Sequence, residues 1–207
     1  MKQVLLLVCC LLLSACGFFV REQRQPLPPE FTMRSLREGY PLALQKAYQW
    51  SQQVHLESVT GIYERQNGEW RLVYGHYVFV DPFQMKYISI TIDLDRHYRH
   101  SLEISPPEEV EGSIVTTGHF ELERVPIDEQ RALALAEAHL IPMKESCQPR
   151  EANLSGHGEL GQIWWVHFYN PFYKSFSFSP LFLATFFVDA ETGKVRANQN
   201  NIQEICP

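Results

Sequence analysis

The sequence is poor in positive charge, and its positive charges do not form a run. Its 18 Lys and Arg residues are outnumbered by 24 Asp and Glu residues, which gives a formal net charge of −6. Nucleic-acid binding and electrostatic docking on anionic lipid both depend on clustered Lys and Arg side chains. The composition therefore argues against a nucleic-acid partner and against a membrane contact made by charge.

The sequence also lacks the short motifs that mark common hydrolases. It contains no Gly-x-Ser-x-Gly turn for a serine nucleophile and no His-Glu-x-x-His motif for a catalytic zinc. We therefore expect no enzymatic activity and no cofactor. A small hydrolase or a metal-dependent enzyme is the alternative from another functional class.

Long hydrophobic runs are scarce as well. The most apolar stretches are residues 4–13 and 181–188, and both are shorter than the roughly 20 residues that a membrane-spanning helix needs. The later stretch has the length of a strand. The earlier one follows Lys2 and has the arrangement of a secretory signal peptide, which we expect over residues 1–15.

Small residues lead from this apolar stretch to a cysteine, in the order Leu13-Ser14-Ala15-Cys16-Gly17. The segment resembles the lipobox of bacterial lipoproteins, whose signal peptide is cleaved just before the cysteine. The resemblance implies that Cys16 carries a diacylglycerol on its thiol and a third acyl chain on its amine. Three chains would anchor the protein firmly in a lipid bilayer, since each buried methylene contributes roughly 0.8 kcal/mol. A plain cleaved signal peptide with a coincidental cysteine is the alternative.

The residue after the cysteine bears on the location. In many Gram-negative members of the lipoprotein family, an Asp there retains the protein in the inner membrane. Gly17 stands at that position, so the resemblance implies a lipid anchor at the periplasmic face of the outer membrane, with the inner membrane less favoured. Residues 16–32 are polar and proline-bearing without periodicity, which predicts a tether.

Two of the five cysteines remain for pairing in an exported chain. Cys9 and Cys10 lie within the predicted signal peptide, and Cys16 is predicted to carry lipid. An oxidising compartment favours a disulfide between Cys147 and Cys206. The loop it closes, about 59 residues, is worth roughly 4 kcal/mol in the chain-entropy account. Two free thiols with a redox role are the alternative.

The remaining chain has the pattern of two similar units, residues 33–124 and 125–207. Each begins with an apolar helical spacing close to a proline, Pro41 or Pro126, and continues into strand-like segments. This order predicts an α+β fold of tandem helix-plus-antiparallel-sheet units. Chance similarity between two α+β halves is the alternative.

The boundaries of these segments follow from periodicity and turn signals. The first helix is expected to open at Gly39-Tyr40-Pro41 and to include Val54, and the second to stop before Pro142. Strands are expected at residues 61–65, 70–80, 87–95, 113–125, 151–155, 163–169 and 181–189, with turns at Asn67-Gly68, Asp81-Pro82-Phe83 and Asn170-Pro171-Phe172. Trp164 and Trp165 fall on opposite faces of their strand, so at least one is expected in the core.

Two segments of the second unit carry a further resemblance. They are Ile127-Asp128-Glu129-Gln130-Arg131-Ala132-Leu133-Ala134-Leu135-Ala136 and Phe187-Val188-Asp189-Ala190-Glu191-Thr192-Gly193-Lys194-Val195, and they resemble the opening helix and the closing strand and turn of PepSY-like domains. In the closing turn, Asp189 and Thr192 can cap the backbone while Gly193 supplies a positive φ. PepSY-like domains are mostly exported and non-enzymatic, and tandem units of cystatin-like shape are used similarly, so the resemblance implies a role in binding or inhibiting another envelope protein.

One group of residues has the composition of a metal site. Asp93, Asp95 and His97 fall at alternate positions, so on a strand they share a face, and carboxylates with imidazole can hold a divalent cation. Ser89 and Thr91 continue the same polar face. That continuation favours an ordinary solvent-facing strand, so we expect no metal.

An aromatic segment of the second unit has no counterpart in the first. Phe172, Tyr173, Phe176 and Phe178 are the candidates for a partner-binding patch, with packing in the core as the alternative. The sequence thus predicts a membrane-anchored periplasmic lipoprotein that binds another envelope protein or a peptide, as an inhibitor, an immunity protein or an envelope accessory. A scaffold lipoprotein and a small envelope enzyme are the alternatives.

Overall fold

The structure, a computed structural model, describes residues 23–95, 100–109, 119–140, 148–157, 162–174 and 180–200; for residues 157, 170–174, 180–182 and 197–200 it describes the backbone alone. In chain order its elements are β1 (Gln23–Pro26), α1 (Leu36–Trp50), β2 (His55–Gln66), β3 (Glu69–Asp81), β4 (Lys86–Asp93), β5 (Ser101–Ile104), β6 (Glu108–Glu109), α2 (Glu129–Glu137), β7 (Glu151–His157), β8 (Ile163–Lys174), β9 (Pro180–Asp189) and β10 (Val195–Asn200).

The strands form one antiparallel sheet of ten strands. Its order is β1-β5-β4-β3-β2-β7-β8-β9-β10, and β6 pairs with β4. The first strand after each helix lies at the centre, where Gly61 of β2 stands opposite Leu154 of β7. Each half therefore places a helix and then four strands in the same outward order, and the predicted α+β class with antiparallel sheet is confirmed.

Both helices pack on one face of this sheet. α1 contacts β2, β3 and β4, and α2 contacts β8 and β9. The alternation of β4 sends Ile88, Ile90 and Ile92 to the helix side, where each is buried. The same alternation buries Trp164 completely and leaves Trp165 36% exposed on the opposite face, as expected of neighbouring residues on a strand.

The first helix begins earlier than the sequence pattern predicts. The Ser35 side chain accepts a hydrogen bond from the Glu38 backbone N–H at 3.1 Å and caps the helix, which starts at Leu36. Pro41 consequently lies inside the helix, and Val54 lies beyond its end at Trp50. The predicted start at residues 39–41 was wrong. Ser35 caps the helix four residues earlier, and burial of the Leu36 side chain stabilises this additional turn.

The amino ends of the two helices meet. Glu129, the first residue of α2, accepts a hydrogen bond from the Leu36 backbone N–H at 2.6 Å through Oε1. Arg37 Nη2 donates to the Val125 carbonyl at 3.0 Å. These bonds join the two halves on the helix side of the sheet, in addition to the β2–β7 pairing.

Two strand predictions were wrong. β8 continues through the expected break at Asn170-Pro171-Phe172 as far as Lys174. Proline has no N–H to donate, and the ladder with β9 is irregular between Tyr169 and Lys174 without ending the strand. Of the strand expected at residues 113–125, residues 119–125 form an irregular segment and a turn, and residues 113–118 lie outside the described residues.

Both turns predicted in the first half are present. They lie at Asn67-Gly68 and at Asp81-Pro82-Phe83, and both residues of the first have a positive φ. Within the segment predicted as a tether, Gln23–Pro26 forms an edge strand that pairs with β5, and residues 16–22 lie outside the described residues. Among the described residues, no helix is long and apolar enough to cross a membrane.

Candidate functional site

The sheet face opposite the helices is the most distinctive surface of the described molecule. No described helix covers it, yet it carries large side chains that are half-buried against one another. Those on β3, β8 and β9 include Tyr74, His76, Trp165, His167 and Phe187. A face of this kind, neither packed under a helix nor fully polar, is where a binding partner can be sought.

A pocket of about 280 Å³ opens on this face in the second half. Its six lining residues come from β8, β9, the turn after β9 and β10: Ile163, Trp165, Phe187, Asp189, Lys194 and Arg196. Strand alternation explains the set, because Ile163 and Trp165 are two residues apart and so share a face. Phe187 stands directly opposite Trp165 across the β8–β9 ladder.

The floor of the pocket is aromatic. The rings of Trp165 and Phe187 meet edge to face, with centroids 5.0 Å apart and an interplanar angle of 73°. Edge-to-face aromatic pairs contribute about 0.5–1.5 kcal/mol beyond the area they bury. The pair therefore forms a firm apolar floor, although Trp165 remains partly open to solvent.

The rim of the pocket is built by the turn after β9. Asp189 Oδ1 accepts hydrogen bonds from the backbone N–H groups of Glu191 at 3.0 Å and Thr192 at 2.8 Å. The bond from Thr192 is the main reason that the pKa of Asp189 lies below its usual value, with the Arg196 charge a smaller cause. Gly193 has a φ of 72°, so the predicted roles of Asp189 and Gly193 in a tight turn are confirmed.

The turn sets the charge around the floor. The lining includes the Asp189 carboxylate, whose Oδ1 is bonded to backbone N–H groups, and the two cations Lys194 and Arg196, so positive charge is in excess. Together they would suit a ligand that offers an apolar group to the floor and an anionic group to the rim.

A pair of histidines supports this face in corresponding places of the two halves. His76 Nδ1 lies 2.9 Å from Thr91 Oγ1, and His167 Nδ1 lies 3.0 Å from Thr185 Oγ1. In each case the histidine is directly opposite the threonine in the ladder. Burial lowers the pKa of His76, which keeps that imidazole neutral near pH 7.

The two halves differ beside these histidines. Tyr74 precedes His76 by two residues, as Trp165 precedes His167, and the Tyr74 and His76 rings stack with centroids 6.3 Å apart. The position of Phe187, two residues after the threonine, is held by Asp93 in the first half. The described part of the first half thus has no matching aromatic floor, and the pocket belongs to the second half.

Two further histidines lie in contact at the amino end of β2. The rings of His55 and His119 have centroids 3.7 Å apart. Burial, and then the charge of His119, lower the pKa of His55 to about 4, so this ring is neutral near pH 7. Glu57 Oε2 is 3.8 Å from His55 Nε2. No three His, Cys, Asp or Glu side chains in the described part of the chain are grouped as a metal site.

The metal candidates from the sequence are only partly placed. Asp93 ends β4 on the uncovered face, and its Oδ1 accepts a hydrogen bond from the Asp95 backbone N–H at 2.9 Å. His97 lies outside the described residues. The two aspartates are therefore joined by a local turn contact, and the rest of that prediction stays a prediction.

The other predicted site residues fall largely outside the described part of the chain. Cys16, Cys147, Cys206, Phe176 and Phe178 lie outside it. Phe172 and Tyr173 belong to β8, for which the backbone alone is described there. The lipid anchor, the disulfide and the aromatic patch at residues 172–178 thus stay predictions.

Sequence reasoning missed most of the pocket. It placed Trp165 on a face opposite Trp164 but gave it no role, and it treated Lys194 only as part of a turn. One usable signal was the repeated order aromatic-x-His-aromatic, at Tyr74-Gly75-His76-Tyr77 and Trp165-Val166-His167-Phe168. It marks corresponding strands, and from it the one aromatic-rich uncovered face could have been located.

Comparison of the chain with family models, with curated proteins and with solved structures found no match.

Proposed function

We propose that this protein is a lipid-anchored periplasmic lipoprotein that binds a segment of another envelope protein, or a peptide, without catalysing a reaction. The observation that carries the binding part is the pocket floored by Trp165 and Phe187 on the uncovered face of the sheet. Its location at the outer membrane is supported by the resemblance of residues 13–17 to a lipobox and by Gly17 after the cysteine.

The size of the pocket favours a peptide over a small-molecule substrate. Small-molecule sites are clefts of about 300–1,000 Å³ that enclose most of their ligand. A pocket of about 280 Å³ is at the lower limit and fits one or two side chains. Tryptophan and arginine are also the residues most enriched among those that dominate protein interfaces, and both line this pocket.

The charges indicate which segment would fit. An apolar side chain can rest on the Trp165 and Phe187 rings, while a carboxylate of the same segment meets Lys194 and Arg196. The cations are placed at the rim, where they orient a partner and speed its approach more than they add affinity. The proposed ligand is accordingly an acidic segment with at least one large apolar side chain.

We further propose that each half has a PepSY-like or cystatin-like fold. In each half a helix is followed by four strands in the same outward order, and this order, with the turn from Asp189 to Gly193, supports tandem PepSY-like or cystatin-like units. Such a module would act as an inhibitor, an immunity protein or an envelope accessory.

The test is capture of the partner by the acylated full-length protein, by crosslinking in the envelope followed by titration with the purified partner. Trp165→Ser should weaken binding at least tenfold, while the lost contact with Phe187 should lower the melting temperature by only a few degrees. Tyr48→Ser is the matched control, since Tyr48 is 41% exposed on α1, away from the pocket, and it should bind normally. Equal binding by the wild type and Trp165→Ser would contradict the role of the pocket.

The anchor is tested separately. Cys16→Ala should release the protein from the membrane fraction, and the intact mass of the wild type should include the acyl chains. A soluble wild-type protein of unmodified mass would contradict the lipoprotein part and leave the pocket test unaffected.

A further inference from the structure

The turn between β3 and β4 presents two large apolar side chains to solvent. Phe83 is 78% exposed and Met85 is 46% exposed. Together with Pro82 and Gln84 they make up the apolar turn, residues 82–85. Exposed apolar side chains at the tip of a hairpin bury little area in the fold, and two in one turn form a small apolar patch that is open to contact with another apolar surface.

The apolar turn is held in shape by a buried carboxylate. Asp81, 2% exposed, accepts hydrogen bonds from the backbone N–H groups of Phe83 at 2.8 Å and Gln84 at 3.0 Å through Oδ1. Its Oδ2 accepts a third from the Ser51 hydroxyl at 2.6 Å, which ties the turn to the end of α1. Phe83 is thus presented on a preorganised support.

Met85 has a backbone conformation that suits glycine better. Its φ is 52°, in the left-handed region where a residue with a Cβ is disfavoured and Gly is the default. A backbone outlier of this kind is a reason to look for a function. Here it means that the turn keeps an apolar side chain where glycine would be less strained.

The direction of the chain places this turn on the side of the predicted anchor. Gln23 of β1 stands opposite Ile104 of β5, which stands opposite Ile90 of β4. β1 and β4 each pair antiparallel with β5, so they run in the same direction. The first residue of β1, Gln23, therefore points back towards the β3–β4 end of the sheet. Lys86, at the base of the apolar turn, lies four residues from Ile90, about 13 Å along the strand.

The preceding chain is long enough to cover this distance. Residues 17–22 separate Cys16 from Gln23. The seven residue steps between those two Cα atoms span at most about 25 Å. Cys16 can therefore reach the level of the apolar turn.

We propose that the apolar turn dips into the interface of the bilayer that holds the acyl chains of Cys16, so that Phe83 and Met85 form a second membrane contact and orient the sheet on the membrane. This inference rests on the proposed lipid anchor. Two side chains are too few to hold a protein on a membrane alone. With the anchor in place the contact is intramolecular, and a high effective concentration makes a weak contact sufficient.

The charges near the turn select the kind of lipid surface. Lys86 is paired in the sheet with Glu109, and Tyr87 with Glu108, and both glutamates are exposed. Among the described residues, this end of β4 offers no excess of positive charge, so the contact is with neutral phospholipid and is apolar in character. It should be insensitive to salt.

The experiment uses acylated full-length protein in phosphatidylcholine vesicles, with and without brominated phosphatidylcholine, which quenches tryptophan on contact. Phe83→Trp adds a reporter to the apolar turn. Glu69→Trp adds one at an exposed position in the β2–β3 hairpin, at the opposite end of the sheet. After subtraction of the wild-type signal, we expect at least twofold stronger quenching at position 83 than at position 69, unchanged by high salt.

The possible failures are separable. If the protein floats with the vesicles but the two positions are quenched equally, the membrane contact of the apolar turn is overturned while the anchor stands. If the wild-type chain carries no acyl groups and does not float, the anchor is overturned and the inference falls with it. Equal melting temperatures of both variants and the wild type establish that the added rings do not disturb the fold.

Discussion

At the scale of single residues, the carboxyl group of Glu129 connects the two halves of the molecule. Its Oε1 accepts the Leu36 backbone N–H, while its Oε2 is buried with no hydrogen-bond partner among the described residues. Burial is the main reason that the pKa of Glu129 is raised, and backbone hydrogen bonds, including that from Leu36, oppose the rise. The Glu129 carboxylate thus accepts the Leu36 N–H at the start of α1, but its own charge is poorly solvated.

This arrangement predicts different outcomes for two substitutions. Glu129→Ala leaves the Leu36 N–H buried without its acceptor, so we expect a loss of about 2–3 kcal/mol in the free energy of unfolding. Glu129→Gln keeps an amide oxygen for that bond and buries no charge, so it should cost much less. Urea unfolding of both variants at pH 7 checks this, and an equally large loss in both would show that charge, rather than the hydrogen bond, is what the site requires.

The raised pKa of Glu129 also determines how the free energy of unfolding changes with pH. Glu129 binds a proton more tightly in the folded state than in the unfolded state, where its pKa has the ordinary value of 4.5. Raising the pH from 4.5 through the folded-state pKa therefore removes stability from the wild type that Glu129→Gln does not lose. The wild type should be favoured relative to the glutamine variant at pH 4.5 more than at pH 7; a constant difference across this range would contradict the raised pKa.

At the scale of elements, the contact between α1 and the sheet depends on the absence of a side chain. A Cβ at Gly39 would overlap the Met33 sulfur and the Tyr77 hydroxyl. The Tyr77 hydroxyl donates to the Leu36 carbonyl at 2.7 Å, and the ring is buried and cannot move aside. Gly39 therefore allows the first turn of α1 to approach β3 closely.

Gly39→Ala should destabilise the protein although alanine is the better helix former. Alanine gains about 1 kcal/mol of helix propensity over glycine, but the overlap with Tyr77 should cost about 1–3 kcal/mol and more where the hydroxyl bond breaks. Gln45→Ala, at an exposed position of the same helix, is the matched control and should be nearly neutral. Urea unfolding measures both, and a stabilised Gly39→Ala would show that α1 can shift away from β3.

Some strands could be predicted from the sequence and others could not. β4 was predictable because apolar and polar residues alternate along it, and Ile88, Ile90 and Ile92 all face the helices. Pro171 led to the wrong prediction of a break. A proline favours a break locally, but residues on both sides of it pair with β9, so β8 continues. The pocket was not predictable, because Trp165, Phe187 and Arg196 come from three strands whose register no local pattern specifies.

At the scale of the whole molecule, two units that the sequence presents separately share one sheet. β2 and β7 would each be an exposed edge in an isolated unit, and their pairing removes both edges. Further contacts cross the same boundary. Arg65 Nη1 lies 2.7 Å from Glu137 Oε1, and Trp70 Nε1 donates to Glu137 Oε2 at 2.9 Å. The sequence pattern indicated the units but not this pairing, because the partner strands are far apart along the chain.

A shared sheet with contacts on the helix side predicts that the two halves unfold together. In pulse-labelled hydrogen exchange at increasing urea, peptides from β3 and from β8 should lose protection at the same midpoint. Glu137→Ala removes the acceptor of both Arg65 and Trp70, so it should lower both midpoints by the same amount, although the residue belongs to the second half. Two separate midpoints, or a shift confined to β8, would mean that the halves are independent folding units that only touch. A single midpoint would instead make the β2–β7 ladder part of the cooperative core, so that a change in either half weakens the support of the Trp165 pocket.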